Sequence, residues 1–163
     1  MQQNTAKKTR KPESIRRKSA AREEVIRSLY ASHFNSGDES KKWPNIPESP
    51  RHVVHGAPAD QHHVVRVLDG VKAHQNELDQ VINVNLSSEW RFDRLSVPLL
   101  ALLRAGAYEL MMLPEIPKNA IIDEYVTLAQ HYCDENEAKF VNGFLERVGS
   151  EARQNADSDQ SSI

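Results

Sequence analysis

At 163 residues and 18.5 kDa the chain is the size of one ordinary domain. It is 39% hydrophobic and 27% charged, with a mean hydropathy of −0.64, which leaves enough apolar content for a core in a polar chain. One cysteine, Cys133, excludes an internal disulfide and a cysteine-cage zinc site, and the longest apolar run, Leu99 to Leu113, carries Arg104 and Glu109 and is too short to span a bilayer.

No apolar segment of secretory type follows the basic N-terminus, so the expectation is a reduced, cytoplasmic protein without a membrane partner. The formal net charge of −2 hides a partition. Residues 1–22 hold eight basic residues against Glu13 alone, a formal +7, while the rest of the chain holds 13 basic against 22 acidic, a formal −9. Such an asymmetry suggests a polyanion partner for the arm; the plainer alternative is a solvated tail.

Residues 1–13 are polar and aperiodic and are expected to be a disordered basic arm. From Ser14, a candidate N-cap, Val25, Ile26, Leu29, Tyr30 and His33-Phe34 recur at three- and four-residue steps and predict a helix. Arg17, Lys18, Arg22 and Arg27 fall largely off that stripe. Cations near a helix N-terminus oppose its dipole by roughly a few tenths of a kcal/mol each. Arg16-Arg17-Lys18 at that position therefore points toward an anion.

Residues 35–60 read as a linker, because Asn35-Ser36-Gly37-Asp38 stops the helix and Pro44, Pro47, Pro50 and Pro58 follow. Val64, Leu68, Val71, Leu78 and Ile82 then form one apolar seam, interrupted at Gln75, in a helical block over 61–85. Trp90 and Phe92 are candidate core anchors. Ser96 is a candidate N-cap with Pro98 in the first turn, and the run to Met112 is apolar on most faces, which puts it at the centre of a bundle. A break at Leu113-Pro114-Glu115-Ile116-Pro117 precedes a helix marked by Ile121-Ile122, Tyr125-Val126, Leu128-Ala129 and Tyr132-Cys133. The acidic turn Asp134–Glu137 starts a last helix with Phe140-Val141, Phe144-Leu145 and Val148, and residues 150–163 read as a disordered polar tail. No segment alternates with period two, so the body, residues 14–149, is all-α with no sheet.

No catalytic or cofactor-binding constellation stands out. His52, His55, His62 and His63 lack carboxylate or cysteine partners at ligand spacing and read as a surface cluster. Asp123-Glu124 point about 100° apart on a helix, and Cys133 reads as a small buried side chain. Arg104 and Glu109 are five apart and do not stack on one another, which leaves interhelical pairing or ligand contact for each. In Lys139-Phe140-Val141-Asn142-Gly143, helical spacing of the flanks overrides the Asn-Gly turn signal, and a helical glycine allows close backbone approach. Phe140 fits either an ordinary core position or, with Lys139, a stacking face and a cation for a nucleic-acid base and phosphate.

Together these segments resemble the transcription antitermination factor NusB family. The first piece is Arg16-Arg17-Lys18-Ser19-Ala20-Ala21-Arg22-Glu23 with Leu29-Tyr30; the second is Leu68-Asp69-Gly70-Val71 with Arg94-Leu95-Ser96. Arg104 to Leu110, Ile116-Pro117, Ile122-Asp123-Glu124 and Lys139 to Gly143 follow in family order. The resemblance implies a helical bundle of two small subdomains. It implies binding of boxA-type single-stranded RNA of ribosomal RNA operons together with ribosomal protein S10 (NusE), in the RNA polymerase antitermination complex, with a contribution to rRNA maturation and no DNA sequence readout. On the RNA side it implies Arg16, Arg17, Lys18, Arg22, Arg104, Tyr132, Lys139 and Phe140, and it sets Tyr30 toward S10. The family's second helix maps onto the proline-rich segment 35–60, and Asp123 stands where the family usually has Asn. The rival reading is a non-catalytic helical interaction module whose basic arm is incidental.

Overall fold

The computed structural model describes residues 11–34 and 56–160. Among these residues six α-helices follow in order: α1 Glu13–Phe34, α2 Gln61–Ala73, α3 Gln75–Val84, α4 Val97–Met112, α5 Lys118–Tyr132 and α6 Glu135–Gln160, with a 3₁₀ turn at Phe92–Arg94. No strand occurs among the described residues.

Local signals fix the boundaries. The Pro12 carbonyl accepts from the Ile15 and Arg16 amides at the start of α1. Asp60 caps α2 by accepting from the His63 amide at 3.2 Å. Ser96 caps α4 through the Leu99 amide and donates its hydroxyl to Glu137 at 2.6 Å, which ties the starts of α4 and α6. Asp134 and Glu137 form a reciprocal capping box, each carboxylate accepting from the other residue's amide at 2.8 and 3.1 Å.

Apolar on nearly every face, α4 is the hub, touching all five other helices. On one side lie α1, α2 and α3; on the other, α5 and α6 pack on α4 and on each other. Leu99, Leu102, Leu103 and Leu110 from α4 join Val25 and Ile26, Leu78 and Ile82, Ile121 and Tyr125, and Phe144 and Leu145 in one core. Close approach is required at Gly70, where a β-carbon would come within 2.0 Å of the Tyr108 ring.

Three expectations change. The 61–85 block is two helices, because His74 leaves helical geometry (φ −112°, ψ 18°) while its amide still donates to Gly70. The helix expected to end near 149 runs to Gln160, since Arg153 donates to the Pro114 and Ile116 carbonyls, both at 2.8 Å, and pins that extension across the α4–α5 break. Gly143 admits no close backbone neighbour; a β-carbon there would meet open space. His52 and His55, most of the 35–60 segment, and residues 1–10 lie outside the described residues.

Candidate nucleic-acid interface

The basic residues of α1 divide by helical position. Arg16 donates to the Lys11 carbonyl at 3.0 Å and to the carbonyl of Gly56, a residue at φ 66°. Arg17 is exposed, and its side chain makes no hydrogen bond or ion pair with the described residues, although its carbonyl accepts from the Asp60 amide. Lys18 is partly exposed. Its charge acts on Glu115, whose carboxyl is held below its ordinary value first by a backbone hydrogen bond and then by Arg66, 2.5 Å away, and Lys18. Lys11, further out, lies 3.6 Å from Glu124.

Arg22 corrects the expectation of an RNA-facing side chain. It is 3% exposed and grips Glu109 of α4 with two hydrogen bonds, Nε to Oε2 at 2.9 Å and Nη2 to Oε1 at 3.0 Å. His63 of α2 sets Nε2 3.0 Å from Oε1, and the Tyr125 hydroxyl of α5 donates to Oε2. Four helices thus meet at one fully buried carboxylate. Burial alone would raise the Glu109 pKa, but the His63 hydrogen bond and the Arg22 guanidinium hold it down at about 2. The same pairing outweighs burial and raises Arg22, while burial and then the Glu109 charge push the Tyr125 phenol well above its ordinary value. His63, read above as part of a surface cluster, is 3% exposed and belongs to this interior.

Arg104 is likewise committed, through a two-pronged pair with Asp79 of α3 at 2.8 and 2.9 Å. Pairing between helices, one of its two readings, is the one that the geometry carries. Tyr132 closes α5 and donates its hydroxyl to Glu23 of α1 at 2.5 Å; burial and that hydrogen bond push its pKa up to about 12. Tyr30 is 7% exposed, so in the isolated chain little of it faces a partner. Burial, then Glu137 and Asp134, push the Cys133 thiol up to about 12, away from nucleophilic use.

At the other end of the bundle Lys139 is exposed, 3.6 Å from Glu135 on its own helix. Phe140 is partly buried, its ring centroid 5.0 Å from Trp90 at an interplanar angle of 29°, and 6.1 Å from Phe144. Among the described residues no hydrogen bond, ion pair or ring contact joins Arg16–Lys18 to Lys139–Phe140. They stand as two separate surfaces, a cationic one on α1 and an aromatic-cationic one on α6. Of the residues at the buried carboxylate, His63 escaped the sequence reading, which set it in a surface cluster. Glu109 left one signal, a charge in an otherwise apolar helix; its partner, 87 residues away, left none.

No group of three or more His, Cys, Asp or Glu among the described residues is arranged to hold a metal ion. No described helix is long and apolar enough to cross a membrane.

Residues 19–150 match the model of the NusB family. The chain is similar to the transcription antitermination protein NusB of Sphingopyxis alaskensis, at 32% identity over 143 residues covering 83% of this chain and 94% of that protein. It is similar to its counterpart in Listeria monocytogenes at 31% identity over 131 residues, covering 80% and 94%. The solved structure of T. maritima NusB superposes with a TM-score of 0.64 at 27% identity, covering 82% of this chain and 91% of that one. A crystal structure of antitermination factors NusB and NusE with double-stranded RNA shares the fold, with a TM-score of 0.63 at 24% identity over 83% and 98%.

Proposed function

The chain belongs to the NusB family, and on that premise we propose that it is a transcription antitermination factor binding boxA-type single-stranded RNA of ribosomal RNA operons jointly with ribosomal protein S10 (NusE). The observation that carries this reading is the exposed Arg17 beside Lys18, cations kept in the N-terminal half of α1 against the helix dipole. Phosphates bind such cations without sequence preference, while stacking and base-edge contacts around Lys139 and Phe140 select the RNA. Arg16, in the first turn of α1, and Tyr132, beside α1 through Glu23, contribute at the edges of this surface. Arg22 and Arg104 act through structure, the first docking α1 on α4 and the second tying α3 to α4. The acidic body faces the basic ribosomal protein, to which Tyr30, 7% exposed in the isolated chain, offers no more than an edge, and the assembly joins the RNA polymerase antitermination complex and supports rRNA maturation. This is a non-catalytic, cytoplasmic role, in keeping with a Cys133 thiol held far from its reactive form.

The test measures RNA affinity with and without S10, using boxA and scrambled RNA at two salt concentrations. Tighter binding of boxA than of the scrambled control, enhanced by S10, is expected. Equal affinity for both RNAs in the presence of S10 overturns the reading. The rival, an interaction module with an incidental arm, predicts unchanged affinity when Arg17 and Lys18 are both replaced by alanine. Point substitution is the cleaner comparison, because deleting residues 1–22 also removes Ala20, Ala21 and Arg22 from the interior.

A further inference from the structure

We propose that the groove walled by Trp90 and Phe92, in the connection between α3 and α4, seats a nucleobase of single-stranded RNA, with Trp90 as the stacking face and Phe140 as its backing. The inference rests on the RNA-binding reading above and adds a subsite to it.

Phe140 itself is poorly placed to receive a base. One side of its ring is occupied by Trp90 at 5.0 Å, and the buried Phe144 stands 6.1 Å away. Trp90 is only partly buried, and its indole lines a groove together with Asn83, Leu86, Arg91, Phe92 and Asp93. The chemistry of that lining suits a flat heteroaromatic with donors and acceptors on its rim. Trp90 and Leu86 offer an apolar face, Asn83 an amide that both donates and accepts, Asp93 an acceptor and Arg91 a fork of donors. Asp93 and Arg91 hold each other at 3.2 Å while about two-thirds exposed, so the pair is free to turn toward a base edge without uncovering a buried charge. Arg94 is also exposed in this turn, and Lys139 precedes Phe140, so cations for the flanking phosphates are at hand.

The connection that carries the stacking face is tied at its backbone, and Phe140 backs the indole at 5.0 Å. The Trp90 amide donates to Ser87 at 3.0 Å, the Asn85 side chain to the Val81 carbonyl at 2.7 Å, and Arg147 of α6 to the Asn85 carbonyl at 3.1 Å. A rigid aromatic plate loses little conformational freedom on binding. A hydrophobic anchor from a protein would want a drier lining than one carrying an arginine, an aspartate and an asparagine, which favours the base. The RNA must be single-stranded here, since a paired base has its rim occupied.

Tryptophan occurs only at positions 43 and 90, so in the Trp43→Phe variant of the full chain the emission reports Trp90 alone. BoxA RNA is titrated in, with Trp90 emission and the anisotropy of end-labelled RNA read in parallel. Quenching that saturates along the anisotropy curve is expected. Trp90→Ala should weaken binding roughly tenfold with an unchanged salt dependence, and Trp90→Phe should retain most of the affinity. RNA binding by anisotropy with unaltered Trp90 emission overturns the subsite and leaves the RNA-binding reading standing. Quenching by S10 alone, with none added by RNA, assigns the groove to protein and overturns the proposal. Absence of RNA binding with S10 present overturns both readings. Should Trp90→Ala lose its circular dichroism signal, the emission titration and Trp90→Phe still decide.

Discussion

Arg17 and Arg22 sit five residues apart on the same helix, about 140° around its axis, and are put to opposite uses. Arg17 stands in solvent with no side-chain partner among the described residues, whereas Arg22 is 3% exposed and bound by the buried Glu109. The difference teaches that the basic arm is two devices in one run of sequence. Its outer side exposes cations, which the proposed function assigns to RNA, and its inner side carries a cation that docks the helix on α4. Without the carboxylate the inner charge would be intolerable, and without the docked inner side the outer charges would have no fixed place.

The largest expected effect comes from breaking the inner device. Glu109→Gln removes the charge that compensates Arg22 and leaves a guanidinium in the core, so it should cost about 3–5 kcal/mol in urea unfolding. Arg17→Gln should stay within about 0.5 kcal/mol by the same measurement, as a surface change does. If the Glu109 variant lost under about 1 kcal/mol, Arg22 would have to be served by Glu124, now 4.0 Å away, and the contrast between the two arginines would narrow.

Acid probes the same carboxylate without a mutation. Glu109 titrates at about 2 in the folded chain against an ordinary 4.5. In that interval the unfolded chain takes up the proton first, so stability rises with pH there. The contribution is complete above the ordinary value and disappears as pH falls from about 4.5 toward 2; it amounts to a few kcal/mol, roughly 1.4 for each unit. Urea midpoints between pH 7 and pH 3 should therefore drop more steeply in the wild-type chain than in Glu109→Gln. Parallel curves would mean that Glu109 does not depend on its charge.

Much of this was legible in the residues. Apolar spacing located the helices, the all-apolar run of Leu99 to Met112 located the hub, and the Arg16-to-Glu23 and Lys139-to-Gly143 segments led to the family. Contacts between distant segments were not legible. Nothing in Glu109 names Arg22, His63 and Tyr125 as its partners, and nothing in Arg104 names Asp79, because charge pairing leaves no spacing signature across unrelated helices. Hence a count of +7 on the arm overstated the charge available to an anion: Arg22 is neutralised inside, and Arg16 is latched to backbone carbonyls. The extension of α6 past residue 149 was hidden similarly, since polar residues 150–160 look like a tail until Arg153 is seen on the Pro114 and Ile116 carbonyls.

The outer device yields smaller effects. Arg17→Ala should weaken boxA and scrambled RNA alike, by several-fold, and reduce the salt slope of log affinity by about 0.7, the loss of one phosphate contact on a single strand. The same substitution should slightly stabilise the free chain, because it removes a cation near the positive end of the α1 dipole and introduces a better helix former, a gain of roughly a few tenths of a kcal/mol. The two signs matter more than either size. At Glu109 stability and RNA affinity should fall together, since α1 loses its seat on α4. At Arg17 they should move apart, affinity down and melting temperature level or up. A purely structural arginine would lower both. Measuring RNA affinity and thermal melting on this one variant thus separates a residue kept for its ligand from one kept for the fold; a fall in melting temperature matching the fall in affinity would return Arg17 to the class of Arg22.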